Sequence, residues 1–305
     1  MENADVLHNS HETAVVRSVT QTARLMSEQA HMTPVEFLAK HKEATREAFS
    51  GSLDRAVQSG AIPVLICARD EEQAIGATLY GLSLSTIPVQ PIVVDNGSTD
   101  QTAFIARSMG AEVITENNPG LIPALNAGFA FFKENGYHGA ILHTDADSVP
   151  LSTWAETMTN YAKNNFSEGG HAYGHIIHYD GLRDALKNGL LTIGNRARNV
   201  LAEKRGINRV HVRNGVILTG DDDRYLDLLS NLSDPEKGTD ADRAFHKADM
   251  QSGKLQTTCK ESRALVVTSG RRHENIRTAI KATVLPRRFN QKTFREKQDG
   301  AMSVK

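Results

Sequence analysis

Cysteine is nearly absent: Cys67 and Cys259 are the only two in 305 residues, far apart and without metal-ligand spacing. That excludes a disulfide scaffold and a clustered zinc site, and it suits a reducing compartment. An excess of one charge is missing too. The 35 Lys and Arg residues face 36 Asp and Glu, a formal net charge of −1, so no broad field draws nucleic acid or an anionic membrane. No window approaches 18 consecutive apolar residues, so no transmembrane helix is expected. The opening Met1-Glu2-Asn3-Ala4-Asp5 is acidic and lacks an apolar run, so no leader peptide is expected and the expected location is cytoplasmic. The chain also lacks a Gly-x-x-x-x-Gly-Lys phosphate loop, a Gly-x-Ser-x-Gly elbow and a His-Glu-x-x-His zinc motif. There is no internal repeat and no low-complexity block. The length allows one large domain or two small ones with a sizeable core.

Residues 1 to about 60 are polar and read as a helical extension. Thr33-Pro34-Val35-Glu36 is a helix start, with Thr33 as N-cap, Pro34 in the first turn and Glu36 closing a capping box. Phe37, Leu38 and Phe49 then share a face that docks on the main domain, although a partner surface is the other reading. At Ala61 the texture changes. Ile62 to Ala68 is a continuous apolar strand ended by Arg69-Asp70-Glu71-Glu72, and Ile75, Leu79 and Leu82 follow at helical spacing. Pro91-Ile92-Val93-Val94 is a second strand, ending at Asp95-Asn96-Gly97-Ser98-Thr99-Asp100. Ser98 and Gln101 read as a capping box for a helix through Ser108, which Gly110 closes before a third strand, Ala111 to Ile114. Alternating strands and helices at this pitch predict a parallel, doubly wound α/β sheet. Residues 121 to 135 read as a helix carrying Leu125, Phe129 and Phe132.

The next strand, Ala140 to Leu142, runs into His143-Thr144-Asp145-Ala146-Asp147, and Ser148-Val149-Pro150 reads as its stop. Ligands of open α/β sheets bind beyond the carboxyl ends of the strands. Two carboxylates one residue apart at such an end suit a hard divalent cation and the diphosphate it carries. The plainer alternative is an acidic turn capping a helix at Ser152 or Thr153. Beyond it, Trp154, Met158 and Tyr161 suggest a helix, 171 to 179 a strand, Gly238 to Gly253 a helix and Ala264 to Thr268 a strand. A basic tail, with Arg287, Arg288, Lys292, Arg295 and Lys297, ends the chain.

In this order, Ala68-Arg69-Asp70-Glu71-Glu72, Val93-Val94-Asp95-Asn96-Gly97-Ser98-Thr99-Asp100, Leu125-Asn126-Ala127-Gly128 and Asp145-Ala146-Asp147 resemble the motifs of the family 2 glycosyltransferases of the GT-A fold. A looser match links Gly238-Thr239-Asp240-Ala241-Asp242, Gly253 and Val267-Thr268-Ser269-Gly270-Arg271-Arg272 to that family's acceptor-side motif, helix and basic strand end. The resemblance implies a Rossmann-like, mostly parallel mixed sheet over residues 61–280, between the N-terminal extension 1–60 and the tail 281–305. It also implies transfer of a sugar from a nucleotide-diphosphate sugar, UDP-linked by preference, to a hydroxyl acceptor, with Mn²⁺ or Mg²⁺.

Carried onto this chain, the family's donor pocket falls on Ala68, Asp70, Glu71, Asp95, Asn126 and Asp145, with Asp95 reading the base and Asp145 the ribose side. Asp70 stands where the family usually has Asn. The metal falls on Asp147, with His273 as a further ligand or simply a surface histidine. Arg271 and Arg272 are placed to neutralise the diphosphate, and Asn214-Gly215 to belong to an acceptor loop. Asp240 is the candidate general base, which implies inversion at the anomeric carbon; Asp242 and the run Asp221-Asp222-Asp223 are alternatives, as is a solvated helix cap. Thr239 departs from the family's usual Glu. A sugar-phosphate nucleotidyltransferase and a non-catalytic nucleotide-sugar-binding or scaffold protein remain as rival functions.

Overall fold

The computed structural model describes residues 18–22, 24–179, 214–220, 223–233, 241–261 and 263–269. Helical residues 24–30 lead into α1 (Pro34–Ala48) and α2 (Leu53–Ser59). Thr33 caps α1 as expected: Glu36 N–H donates to Thr33 Oγ1, and Thr33 N–H donates to the Glu36 carboxylate at 2.8 Å. Phe37, Leu38 and Phe49 are all buried in the main core, so the extension does dock.

The chain then alternates β1 (Ile62–Ala68), α3 (Ile75–Ser83), β2 (Val89–Asp95), α4 (Thr102–Ser108), β3 (Glu112–Thr115), α5 (Leu121–Glu134) and β4 (Ala140–Asp145). After these come β5 (Ser148–Pro150), α6 (Trp154–Asn165), β6 (Gly170–Tyr173), β7 (His175–Tyr179) and β8 (Asn214–Leu218). Helices α7 (Asp223–Ser230) and α8 (Ala241–Ser252) precede β9 (Leu255–Thr258) and β10 (Leu265–Ser269). Seven strands form one sheet in the order β3-β2-β1-β4-β8-β6-β9, and β5-β10-β7 form a second, smaller one. Only β8 runs against its neighbours in the large sheet, which is otherwise parallel. This is the mostly parallel, helix-flanked α/β architecture expected of a GT-A domain.

Two core layers sandwich the large sheet. Val64 and Ile66 of β1 face the layer built with α1, α3, α4 and α6, while Leu65 faces α5, α7 and α8. A strand buried on both faces needs an unbroken apolar run, and that is why β1 reads Ile-Pro-Val-Leu-Ile-Cys-Ala. Helix α5 lies close on β1 because residue 128 is glycine: a Cβ there would sit 2.4 Å from Leu65 Cδ1.

Three sequence expectations change. Ser148-Val149-Pro150 does more than stop β4. It pairs antiparallel with β10, Ser148 opposite Thr268, and so begins the smaller sheet. The single strand expected over 171–179 is two strands, β6 in the large sheet and β7 in the small one. Helix α4 starts at Thr102 without a cap from Ser98; instead Asp100 Oδ1 accepts from the Thr102 N–H at 2.9 Å and from Thr102 Oγ1.

That Asp100 contact belongs to a lock between the loops that follow β1 and β2. Glu71 N–H donates to Thr102 Oγ1 at 2.8 Å, Glu72 N–H to Asp100 Oδ2 at 3.1 Å, and Gln101 N–H to Glu72 Oε2 at 3.1 Å. Partial burial pushes the Asp100 carboxyl up, but the hydrogen bonds from Thr102 and Glu72 outweigh it and hold the group below the ordinary carboxylate range.

Two outcomes follow from this packing. Gly128→Ala should cost about 1–3 kcal/mol in urea unfolding by overpacking, and adding Leu65→Val should restore part of the loss, whereas strictly additive losses would show that the two sites do not touch. A carboxyl held below its unfolded-state value contributes stability above about pH 4 and loses it as the pH falls through the folded-state value. The melting temperature of Asp100→Asn should therefore fall less steeply than that of the wild type as the pH drops below about 4. An unchanged acid slope would show that Asp100 carries no such load.

Candidate active site at the strand tips

The chain runs from β1 outward to β2 and β3, then returns to the other side of β1 as β4. The point where the order reverses, between β1 and β4, is where open α/β sheets leave a crevice beyond the strand ends. Pairing register places the acids around it. Ala68, the last residue of β1, is opposite Asp95 of β2, and Cys67 is opposite Asp145 of β4. Asp95 and Asp145 therefore flank the tip of β1, two interstrand spacings apart, about 10 Å.

Asp95 is 8% exposed, and its Oδ1 accepts from the Ser98 N–H at 3.2 Å, while no hydrogen bond takes its Oδ2 among the described residues. Asn96, grouped with it in the sequence, is a brace. Its Nδ2 donates to the carbonyls of Glu116 and Asn118, and its Oδ1 accepts from the Gly120 N–H at 2.7 Å, tying the β2 tip to the start of α5. The Ala68 carbonyl accepts from the Asn96 N–H at 2.8 Å, which continues the sheet ladder one rung past the strand.

Asp70 has φ = 52°, the only positive φ outside glycine among the described residues. Asp and Asn tolerate this left-handed region because their short side chains bond locally. Here Asp70 Oδ1 accepts from the Thr99 N–H at 2.8 Å and from Thr99 Oγ1 at 3.2 Å, and the Asp70 N–H donates to Ser98 Oγ at 3.1 Å. The Glu71 carbonyl accepts from Ala74 N–H and Ile75 N–H and so opens α3. Both residues thus shape the pocket rim through the backbone, and Asp70 does so by bonding the neighbouring loop.

The Asp145-Ala146-Asp147 turn carries the chain from the large sheet to the small one. It is pinned from two sides: Thr78 Oγ1 of α3 donates to the Ala146 carbonyl at 2.8 Å, and Thr268 Oγ1 of β10 lies 3.4 Å from Asp147 Oδ1. The alternative of a simple helix-capping turn is not what forms, since α6 begins at Trp154 with no side-chain cap. Burial and then the Asp145 charge push the Cys67 thiol well up, so Cys67 stays protonated beside the crevice and is no nucleophile. Asp145 and Asp147 offer hard oxygen donors. Among the described residues no group of three His, Cys, Asp or Glu could cage a metal alone. Such a donor set fits a divalent cation that takes its remaining oxygens from a bound diphosphate and water.

Other expected residues lie elsewhere. Asn126 is engaged at both ends of its amide, accepting from the Leu232 N–H at 2.8 Å and donating to the Leu232 carbonyl at 3.1 Å, so it braces α5. Asn214 and Gly215 form no acceptor loop. They are buried in β8 opposite Thr144 and His143, and Asn214 Oδ1 accepts from Trp154 Nε1–H. Asp223 sits 3.3 Å from His138, ahead of β4, at the amino end of that strand and hence about 17 Å from the Asp145 tip. Asp242 is the second residue of α8. Asp240, His273, Asp221, Asp222, Arg271, Arg272 and the basic tail lie outside the described residues.

Several known proteins are similar to parts of this chain. Residues 64–212, which span β1 through the Asp145–Asp147 turn, match the family described as glycosyl transferase family 2. A stretch of 54 residues is 46% identical to 4,4'-diaponeurosporenoate glycosyltransferase of Staphylococcus aureus (strains MRSA252 and USA300). It spans 18% of this chain and only 14% of that relative's length. Among solved structures, glucosyl-3-phosphoglycerate synthase of Mycobacterium tuberculosis with Mn²⁺, UDP-glucose and phosphoglyceric acid aligns with a TM-score of 0.44 at 19% identity, over 67% of this chain and 71% of that one. The same enzyme with Mn²⁺, UDP and phosphoglyceric acid aligns at 0.46 and 18%, over 76% and 81%. By this match and its strand-tip motifs, the stretch 64–212 is similar to glycosyl transferase family 2.

Proposed function

We propose that this protein transfers a sugar from a nucleotide-diphosphate sugar, with UDP as the preferred carrier, to a hydroxyl acceptor, and that it needs Mn²⁺ or Mg²⁺ to do so. The observation that carries the reading is the register that sets Asp95 and Asp145 on either side of the tip of β1 at the switch point, with Asp147 two residues further on in the turn after β4. Asp95 Oδ2 accepts from the uracil edge, and Asp145 from a ribose hydroxyl. Asp147 holds the cation, which when bound neutralises the departing diphosphate. Electrostatics favour a metal: Asp70, Glu71, Glu72, Asp95, Asp100, Asp145 and Asp147 crowd these tips and loops, and a bare diphosphate would be repelled.

The acceptor hydroxyl loses its proton to a carboxylate, for which Asp240 is our candidate, and direct attack then inverts the anomeric centre. The acceptor is a carbohydrate, a lipid-linked sugar or a small molecule. Two unpaired cysteines fit a reducing, cytoplasmic setting, and no described helix is long and apolar enough to cross a membrane. The nucleotidyltransferase reading needs backbone N–H groups after β1 to cradle a triphosphate. Here the N–H groups of Asp70, Glu71 and Glu72 already donate to Ser98, Thr102 and Asp100.

A thermal-shift panel of UDP, GDP, CDP and dTDP, with and without Mn²⁺, tests the reading. UDP with Mn²⁺ should raise the melting temperature most, by mass action on the folded state. Asp147→Asn should abolish the dependence on Mn²⁺, and Asp95→Ala should erase the preference for UDP. Donor hydrolysis by Asp145→Asn and Asp147→Asn should fall about 100-fold or more at unchanged melting temperature. UDP shifts that ignore Mn²⁺ would contradict the assignment of Asp147, and nucleotide affinity without turnover in the wild type would favour a non-catalytic binder.

A further inference from the structure

Behind the donor turn, β4 carries a polar residue that the site does not use. His143 lies two positions before Asp145, on the same face of the strand, and is 2% exposed. Its rung partner on β8 is Gly215, where a Cβ would stand 2.6 Å from His143 Nε2. Glycine there lets the imidazole reach across β8 to β6, where His143 Nε2 meets His171 Nε2 at 2.9 Å. His171 is fully buried, and its Nδ1 is 2.7 Å from the Tyr173 hydroxyl. Asp249 of α8, 1% exposed, closes the cluster: its Oδ1 accepts from the Tyr225 hydroxyl at 2.5 Å and its Oδ2 from Gln256 Nε2 at 2.7 Å. His171 Nδ1 lies 3.4 Å from that same Oδ2. One helical turn before Asp249, Phe245 stacks on the His143 ring at 6.0 Å between centroids and 15° between planes.

One ordering of hydrogens serves every contact but the 3.4 Å approach of His171 Nδ1 to Asp249 Oδ2, where it sets acceptor against acceptor. Gln256 Nε2 gives one hydrogen to Asp249 and the other to the Tyr173 oxygen, 3.1 Å away. Tyr173 then donates its own hydrogen to His171 Nδ1, which leaves the His171 proton on Nε2 to be donated to His143 Nε2. His143 carries its hydrogen on Nδ1. The chain thus has a direction, from β9 and α8 through β6 to β4. A buried polar network with every member satisfied fixes one packing arrangement, whereas apolar contacts alone tolerate small slides.

We propose that His171 and Asp249 are positioning residues: acting through His143, they hold helix α8 and the Asp145 end of β4 in one fixed relation. Helix α8 directly follows in sequence the segment bearing Asp240, so this relation sets how the α8 side of the molecule meets the donor turn. The consequence for turnover rests on the glycosyltransferase reading, but the linkage itself does not.

Two measurements test it. In nitrogen-15 spectra of the histidine-labelled protein, one of the two facing Nε2 atoms of His143 and His171 should be protonated and the other not. In Asp249→Asn, the backbone amides of Thr144 and Asp145 should shift along with those of α8 and β9. Both facing Nε2 atoms in the same protonation state, or a response that stops at His171, would overturn the proposal. In UDP-glucose hydrolysis with Mn²⁺, His143→Leu should lower kcat by about 10- to 100-fold with KM within about twofold, at temperatures where it is fully folded. His143→Gln, which keeps an acceptor for His171, should recover most of that loss. A folded His143→Leu with wild-type kcat would overturn the positioning role. If the wild type does not hydrolyse UDP-glucose, the function reading is what has failed, and the spectra alone decide on the linkage.

Discussion

The register of β1 between its two parallel neighbours is the constraint from which the rest of this structure follows. Val64, Leu65 and Ile66 are essentially fully buried, and each such side chain contributes about 1.5–3 kcal/mol when removed from water. The carboxylates at the strand ends act as stops. A slip that drew Asp95 of β2 or Asp145 of β4 one rung inward would bury an unpaired charge among these aliphatic side chains, at a cost of several kcal/mol. Hydrophobic burial and charge avoidance therefore select the same alignment, and that alignment brings the acids together at the switch point.

Around this fixed centre, the remaining elements hold the tips still. Thr78 and Thr268 pin the Asp145–Asp147 turn from α3 and β10, so the turn is fastened to a helix and to the smaller sheet at once. The loops after β1 and β2 bond each other through Asp70, Thr99, Asp100 and Thr102. Asn96 fastens the β2 tip to the start of α5, and Asn126 fastens α5 to Leu232. A rim preorganised in this way can meet a charged ligand without reordering its own backbone, which is how enzymes make electrostatic stabilisation effective.

The first four strands and their helices were legible in the sequence because each is a local pattern: an apolar run, an acid or glycine at its end, and a helix at 3.6-residue spacing. The strand-tip acids were legible for the same reason. What escaped was set by partners distant in sequence. Ser148-Val149-Pro150 looks like a stop, and becomes a strand only because Val266 to Thr268 pairs with it. Asn214-Gly215 has the composition of a turn, yet Gly215 is needed bare so that the His143 ring can lie over it. Asn126 sits in a recognisable segment, but only the fold shows its amide engaged by Leu232. The His143–His171–Asp249 cluster left one faint trace: a histidine directly after the apolar run Ala140 to Leu142, and an aspartate four residues after Phe245 in α8. A polar residue on a core face requires a partner, and no local pattern names it.

The strand tips at the switch point should grip a cation-bound pyrophosphate, and anomalous diffraction at the manganese edge from crystals soaked with UDP and Mn²⁺ tests this. The account predicts a manganese peak within about 2.5 Å of an Asp147 carboxylate oxygen, bridging both phosphates, with the uracil hydrogen-bonded to Asp95. A manganese peak remote from Asp147, or a uridine bound with its base away from Asp95, would contradict it.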